Sequence, residues 1–290
     1  MYHLRKYARV YFLGALFFAT GLIWYAVFRE NRQGLMTVAF LNVGQGDSIL
    51  IDSPAGNQML VDGGPDKSVL ARLNEILPFY DRTINVVLAT HPDQDHIAGL
   101  VDVLSNYKVS YVVMTEATSS TAVFQSLLAA AQKSGAAVVR PRRGMVIHLG
   151  SGADFRIIFP DRDMAGQTDT NLASVVGRAE LGKESFLLTG DSPQAIEHYE
   201  VSLDPKILKS DVLKPGHHGS DTSGLAEFIG VADPEYAVLS VGKDNIYGHP
   251  KQSTLDTLNQ FGVKILRTDE QGTIVFKTDG ETLPEPIFKH

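Results

Sequence analysis

The stretch Thr90-His91-Pro92-Asp93-Gln94-Asp95-His96 places two imidazoles and two carboxylates within six residues. Imidazole nitrogen and carboxylate oxygen are good ligands for divalent cations, and one carboxylate can serve two ions at once. Two His and two Asp exceed what one ion needs, so the spacing points to a pair of ions that activate water. Taken singly, Asp95 suits a helix N-terminus and His91 suits packing at a strand end. The whole cluster exceeds those plainer uses.

Later residues of the same types also follow apolar runs. Asp191 follows Phe186-Leu187-Leu188-Thr189-Gly190, His217 and His218 follow Val212-Leu213-Lys214-Pro215-Gly216, and His249 lies in Tyr247-Gly248-His249-Pro250, beyond a run ending at Val241. Alone, Asp191 reads equally well as a turn or cap residue and His249 as a turn histidine. Yet five of the nine histidines fall in the 90–96 stretch, the 217–218 turn and the turn at 249. The others are His3 and His290 at the termini, His148 on a predicted strand and His198 in a predicted helix, and none of them is given a function.

The elements that must carry these residues follow from periodicity. Residues 84–89 read as a buried strand, and residues 97–104 have apolar positions at helical spacing. His91 and Asp93 therefore lie on a loop, while Asp95 and His96 open a helix. Upstream, alternation over 36–43 predicts a strand turned by Gly44-Gln45-Gly46-Asp47, then strands over 48–52 and 58–61 ending at Asp62-Gly63-Gly64. Helices over 66–77 and 121–133 alternate with strands over 109–114 and 136–140. From residue 145 strands follow one another: 145–148, 154–159, 172–181 and 185–189. The last third returns to alternation, with helices near 193–201, 223–229 and 251–261 and strands at 211–214, 236–241, 263–267 and 273–277. Two mixed sheets with outer helices follow, and strand ends on one sheet edge share one crevice.

Residues 10–28 carry no charge and are long enough to cross a bilayer as a helix. A cleaved signal peptide fits less well, because the run exceeds a signal core and no small-x-small site precedes Arg29. Arg5, Lys6 and Arg9 precede the span and Arg29 and Arg32 follow it, which places the N-terminus in the cytoplasm and the remainder outside. The expected division is an anchor and linker over 1–34, one compact domain over 35–280 and a tail over 281–290. With 44% hydrophobic residues a substantial core is available, and with no cysteine neither disulfides nor thiolate ligands are. The anchor and its flanks hold five of 26 basic and one of 33 acidic residues, so residues 33–290 carry about −11. That charge disfavours non-specific nucleic-acid binding. Arg140, Arg142, Arg143 and Lys206, Lys209, Lys214 read as solvated surface.

The His-x-Asp-x-Asp-His, Thr-Gly-Asp and Gly-His-His-Gly-Ser sequences, in this order, resemble the metallo-β-lactamase superfamily. More narrowly, Phe40 to Asp47, Val61-Asp62-Gly63-Gly64, residues 213–220 and Tyr247-Gly248-His249-Pro250 are similar to the C-terminal hydrolase-like domain of ComEC-type DNA-uptake competence proteins. The resemblance covers about residues 36–278. It implies a four-layer αββα sandwich, here preceded by one transmembrane helix, and two divalent ions, zinc or manganese. One ion would draw on His91 and Asp93, the second on Asp95, His96 and a histidine of the 217–218 turn, with Asp191 bridging. The ligand is assigned to His217 and a substrate-phosphate contact to His218, and the two are exchangeable. Asp95, His218 and His249 form the implied catalytic set, His249 as transition-state donor or general acid, and Asp62 supports the metal loop.

Many superfamily members have histidine at position 93 and a further histidine ligand before the bridging Asp. This chain offers Asp93 and then Asp169-Thr170-Asn171, where Asn171 is the only weak substitute, so the oxygen-richer first site should hold zinc less strongly and tolerate manganese better. The implied function is a membrane-anchored phosphodiesterase or nuclease acting on DNA or another extracellular phosphate ester, with the DNA-uptake machinery as partner. The same ions could hydrolyse a carboxylic ester, thioester or lactam, and the missing histidine also admits an idle binding module beside an uptake assembly. One helix cannot enclose a pore, so the resemblance extends to a hydrolase domain and not to a channel.

Overall fold

The computed structural model describes the backbone of residues 2–30 and 34–290, and the side chains of residues 7–25 and 34–290. The chain divides into two compact units, Met1–Gly34 and Leu35–His290. The first carries helix α1 (Tyr2–Glu30), in which Tyr7–Tyr25 is long and apolar enough to cross a membrane and has every side chain exposed. Residues 31–33 of the expected linker, and the side chains of Arg5, Lys6, Arg29 and Arg32 that set the expected orientation, lie outside the described residues.

In the second unit, β1 (Met36–Phe40), β2 (Ile49–Asp52) and β3 (Gln58–Val61) form an antiparallel meander. Helix α2 (Ser68–Ile76), β4 (Thr83–Ala89), α3 (Gln94–Asn106), β5 (Lys108–Met114), α4 (Ala122–Ser134) and β6 (Ala137–Val139) then extend the sheet in parallel. The second sheet holds β7 (Val146–Gly150), β8 (Ala153–Phe159), β9 (Val176–Leu181) and β10 (Glu184–Leu188). After α5 (Gln194–Leu203) come β11 (Val212–Lys214), α6 (Ala226–Ala232), β12 (Tyr236–Leu239), α7 (Gln252–Gln260) and β13 (Lys264–Arg267). A short α8 (Thr268–Gln271) leads back to β14 (Thr273–Thr278) and β15 (Ile287–Lys289), which complete the first sheet in the order β15-β14-β1-β2-β3-β4-β5-β6. The second sheet runs β13-β12-β11-β10-β9-β8-β7.

Period-two alternation divides each strand between two cores. In β1, Met36, Val38 and Phe40 enter the layer between the sheets, where Phe40 meets Phe276 edge-on at 6.1 Å between ring centres; Ala39 faces the helix layer of the first sheet. Val69, Leu100 and Leu127, from α2, α3 and α4, cover that sheet, while Phe228 and Leu258, from α6 and α7, cover the second. The result is the expected αββα sandwich.

The structure departs locally from the predicted elements. The strand expected over 172–181 begins only at Val176, because Asp169 accepts the Asn171 amide at 3.1 Å and caps a 3-10 turn over Thr170–Ala173. Residues 287–289, within the expected tail, pair with β14; three residues are too few for alternation to register.

Candidate metal centre

Most site side chains sit just beyond the C-terminal ends of parallel neighbours. Asp62 follows β3, His91 to His96 follow β4, Asp191 follows β10 and the double histidine follows β11. The crevice outside such strand ends is where α/β sheets bind ligands. Asp93 stands at the N-cap position of α3 without capping it, and instead accepts the Thr170 hydroxyl at 2.7 Å. Gly46 has φ +135°, and a Cβ there would collide with the Asp95 carbonyl. Only glycine therefore lets the β1–β2 loop close on the start of α3, where the Asp47 amide approaches the Asp95 carbonyl at 3.3 Å.

Asp191 Oδ2 is the centre of the cluster. Four imidazole Nε2 atoms surround it: His96 at 3.3 Å, His218 at 3.6 Å, and His91 and His217 at 3.9 Å. Asp95 Oδ2 lies 3.2 Å from His218 Nε2 and 3.9 Å from His96 Nε2, and Asp93 Oδ2 lies 3.7 Å from His91 Nε2. Ligands about 2.0–2.1 Å from one tetrahedral ion stand roughly 3.3 Å apart. The triads His91, His96, Asp191 and Asp95, His96, His218 each offer three such atoms. His91 Nε2 and His96 Nε2 are buried without any hydrogen-bond partner, which is costly unless a cation satisfies them. The donor set therefore fits divalent ions.

Asp62 orients the rings. It accepts the Thr90 amide at 2.8 Å, the Thr90 hydroxyl at 2.7 Å and His96 Nδ1–H at 2.8 Å. The Thr90 hydroxyl proton is thereby used, so its oxygen, 3.0 Å from His91 Nδ1, accepts from that ring. With Nδ1–H so used, Nε2 is the atom that each ring turns toward Asp191 and could offer to a cation. Asp62, His217 and His218 hold φ of 57°, 49° and 55°, a left-handed conformation uncommon outside glycine that concentrates at functional sites.

Electrostatics bind the cluster together. Burial opposes charge on His96, but Asp191 and Asp62 outweigh it and raise its pKa well above the usual value. His218 is pushed up to about 9, since Asp191 and Asp47 prevail over burial. Burial and the neighbouring His96 lower His91. Burial would raise Asp191, yet His96, His218 and Lys214 hold it well below the carboxylate range.

The structure thus brings His91, Asp95, His96, Asp191 and His218 together, with Asp62 behind them. His218 is the buried member of its pair, whereas the His217 side chain is 30% exposed at the rim, its Nδ1 3.1 Å from the Thr222 hydroxyl. The Asp93 side chain is 42% exposed. The His249 ring stands 5.6 Å from that of His217 and stacks on Tyr247, while Asn245 holds its backbone at both ends. Asn171 adjoins Thr170, with a buried Oδ1 lacking a partner. Two buried residues escaped the sequence reading. Asp47 ends the Gly44-Gln45-Gly46 turn, which was a usable signal. Lys214, read as solvated surface, is fully buried in an ion pair with Asp47, and its apolar strand was the clue. Arg140 and Arg142 are likewise tied down, to the carbonyls of Met114 and Thr115 and to Glu116.

Residues 41–243 match the sequence model of the metallo-beta-lactamase superfamily. The chain belongs to that superfamily. Among metallo-beta-lactamase-fold proteins of known structure, YhfI from Bacillus subtilis superposes with a TM-score of 0.57 at 13% identity, covering 84% of this chain and all of that one. ComE operon protein 3 of Bacillus subtilis (strain 168) is 33% identical over 258 residues, 83% of this chain and 33% of the relative. Competence protein ComA of Neisseria gonorrhoeae is 38% identical over 125 residues, 43% of this chain and 18% of the relative. The chain thus spans at most a third of the length of these two relatives.

Proposed function

We propose that this superfamily member is a membrane-anchored, metal-dependent phosphodiesterase acting on DNA or another phosphate ester outside the cytoplasm. The observation that carries the metal reading is Asp191 Oδ2 within 3.9 Å of four Nε2 atoms, two of them buried without a partner. Similarity to competence proteins supports nucleic acid as substrate and an uptake assembly as partner. The apolar span Tyr7–Tyr25 supports anchoring, and the flanking basic residues support an outward-facing domain.

His91 and Asp93 would hold one ion, and Asp95, His96 and His218 the other, with Asp191 between them. This exchanges the two members of the double-histidine turn, since His218 is buried against Asp95 and Asp191 while His217 faces the mouth. When bound, a divalent pair activates water and offsets charge on an attacked phosphoryl group. The protein's own groups do the remainder: Asp62 and Thr90 fix the imidazole tautomers, and His217 contacts a phosphate oxygen. Burial, then His217 and His218, lower the His249 pKa, which suits a neutral hydrogen-bond donor at the transition state better than an acid.

Membranes carrying the full chain should cleave bis(4-nitrophenyl) phosphate and DNA when Mn2+ or Zn2+ is added. Asp191→Ala and His96→Ala should each abolish this, a loss of at least 100-fold. Full activity in either metal-loaded variant would refute the assignment, and cleavage of a β-lactam in place of the phosphodiester would redirect it to carboxylic-acid derivatives.

A further inference from the structure

Lys214 ends β11 inside the cluster, fully buried, and has no part in the reaction outlined above. Three oxygens surround its Nζ. It pairs with Asp47 Oδ2, donates to the Gly190 carbonyl at 2.6 Å and stands 3.5 Å from Asp191 Oδ1. An ammonium carries three donors, so this cage matches it in number. The two carboxylates that hold the ammonium also belong to a group that could hold a metal ion, since Asp47, Asp191 and His218 offer ligand atoms within 4.8 Å of one another. Asp47 Oδ1 is buried without a hydrogen bond and lies 3.5 Å from His218 Nδ1.

Asp191 therefore serves two cation positions, one on each oxygen. Oδ2 faces the histidines, and Oδ1 faces the ammonium. The charges agree with that division. Asp47, Asp62, Asp93, Asp95 and Asp191 set against Lys214 leave four negative charges, which two divalent ions neutralise.

We propose that the Lys214 ammonium is a built-in cation occupying a third cation position, formed by Asp47, the Gly190 carbonyl and Asp191 Oδ1. It excludes a divalent ion from that position and keeps Asp191 Oδ2 turned toward the histidines. The inference rests on reading the cluster as a metal centre. It goes beyond that reading by fixing which of the adjoining positions metal does not enter.

Lys214→Ala removes the charge and opens the space. Calorimetric Mn2+ titration with elemental analysis, on the full chain in detergent, should find one more Mn2+ per chain in Lys214→Ala than in wild type. The charge-balanced double variant Asp47→Asn/Lys214→Ala should return to the wild-type count. Equal counts and affinities in wild type and Lys214→Ala would overturn the inference, as would an extra ion that persists in the double variant. If Lys214→Ala folds only with metal, its Mn2+-dependent rise in Tm must exceed that of wild type. Failure to fold at every Mn2+ concentration while the double variant folds would also overturn it. A wild-type chain that takes up no Mn2+ would instead sink the proposed function, and the third position with it, an outcome distinct from equal non-zero counts in the two chains.

Discussion

Asp62 accepts three hydrogen bonds and through them aims two imidazoles, so the smallest change with a large effect falls on a residue that need not touch an ion. In Asp62→Asn an amide nitrogen at the Oδ2 position opposes both the Thr90 hydroxyl and His96 Nδ1–H, and one at the Oδ1 position opposes the Thr90 amide. Such supporting groups typically contribute 10–100-fold to metal affinity. Chelator competition should show a loss of about that size, with the fold retained, and unchanged affinity would remove Asp62 from the account. At this scale the sequence was legible where residue type and spacing act together, as in His91, Asp95 and His96 within one short stretch that runs from a loop into α3. It was not legible where chain reversal decides. His217 and His218 both adopt left-handed φ, and only the path of the turn sends one ring inward and the other to the rim. Asp47 and Lys214 lie far apart in sequence, and their pairing arises only where the end of β11 meets the loop after β1.

Helix α5 supports the site from below. Glu197 is buried and accepts the Gly224 and Leu225 amides at 2.9 and 2.7 Å, which ties α5 to the segment just past the double-histidine turn. Burial pushes the Glu197 pKa up to about 7, against the pull of those amides, and Glu200 one turn on is raised by burial and by Glu197. A carboxyl whose folded pKa exceeds its unfolded value of 4.5 contributes its full stabilisation below that pH and loses it as pH rises through about 7. Between pH 4.5 and 7 the protonation preference of Glu197 amounts to on the order of 3 kcal/mol. Urea unfolding of wild type and Glu197→Gln should therefore diverge in the variant's favour by about that amount from pH 5 to pH 8. A difference independent of pH would contradict this. The helix itself was readable from its apolar spacing, but its two buried acids were not, because it is tertiary packing, not local pattern, that covers them. The late start of β9 has the same origin, a local cap at Asp169 that outcompetes an otherwise strand-like run.

For the whole molecule, the layered architecture followed from the switch between period-two and helical patterning, and the two sheets with outer helices are the arrangement those patterns require. The net charge of about −11 over residues 33–290 leaves little general attraction for a polyanion, so under the proposed function bound cations would have to supply it locally. Five acidic groups and one ammonium, gathered where strand ends of the two sheets meet, make the site a sink for positive charge. The most direct measurement is anomalous diffraction from crystals grown with Mn2+. Two peaks about 3.5–4 Å apart should flank Asp191 Oδ2, one beside His91 and one beside His96 and His218. No peak within coordinating distance of Asp191 would contradict the account.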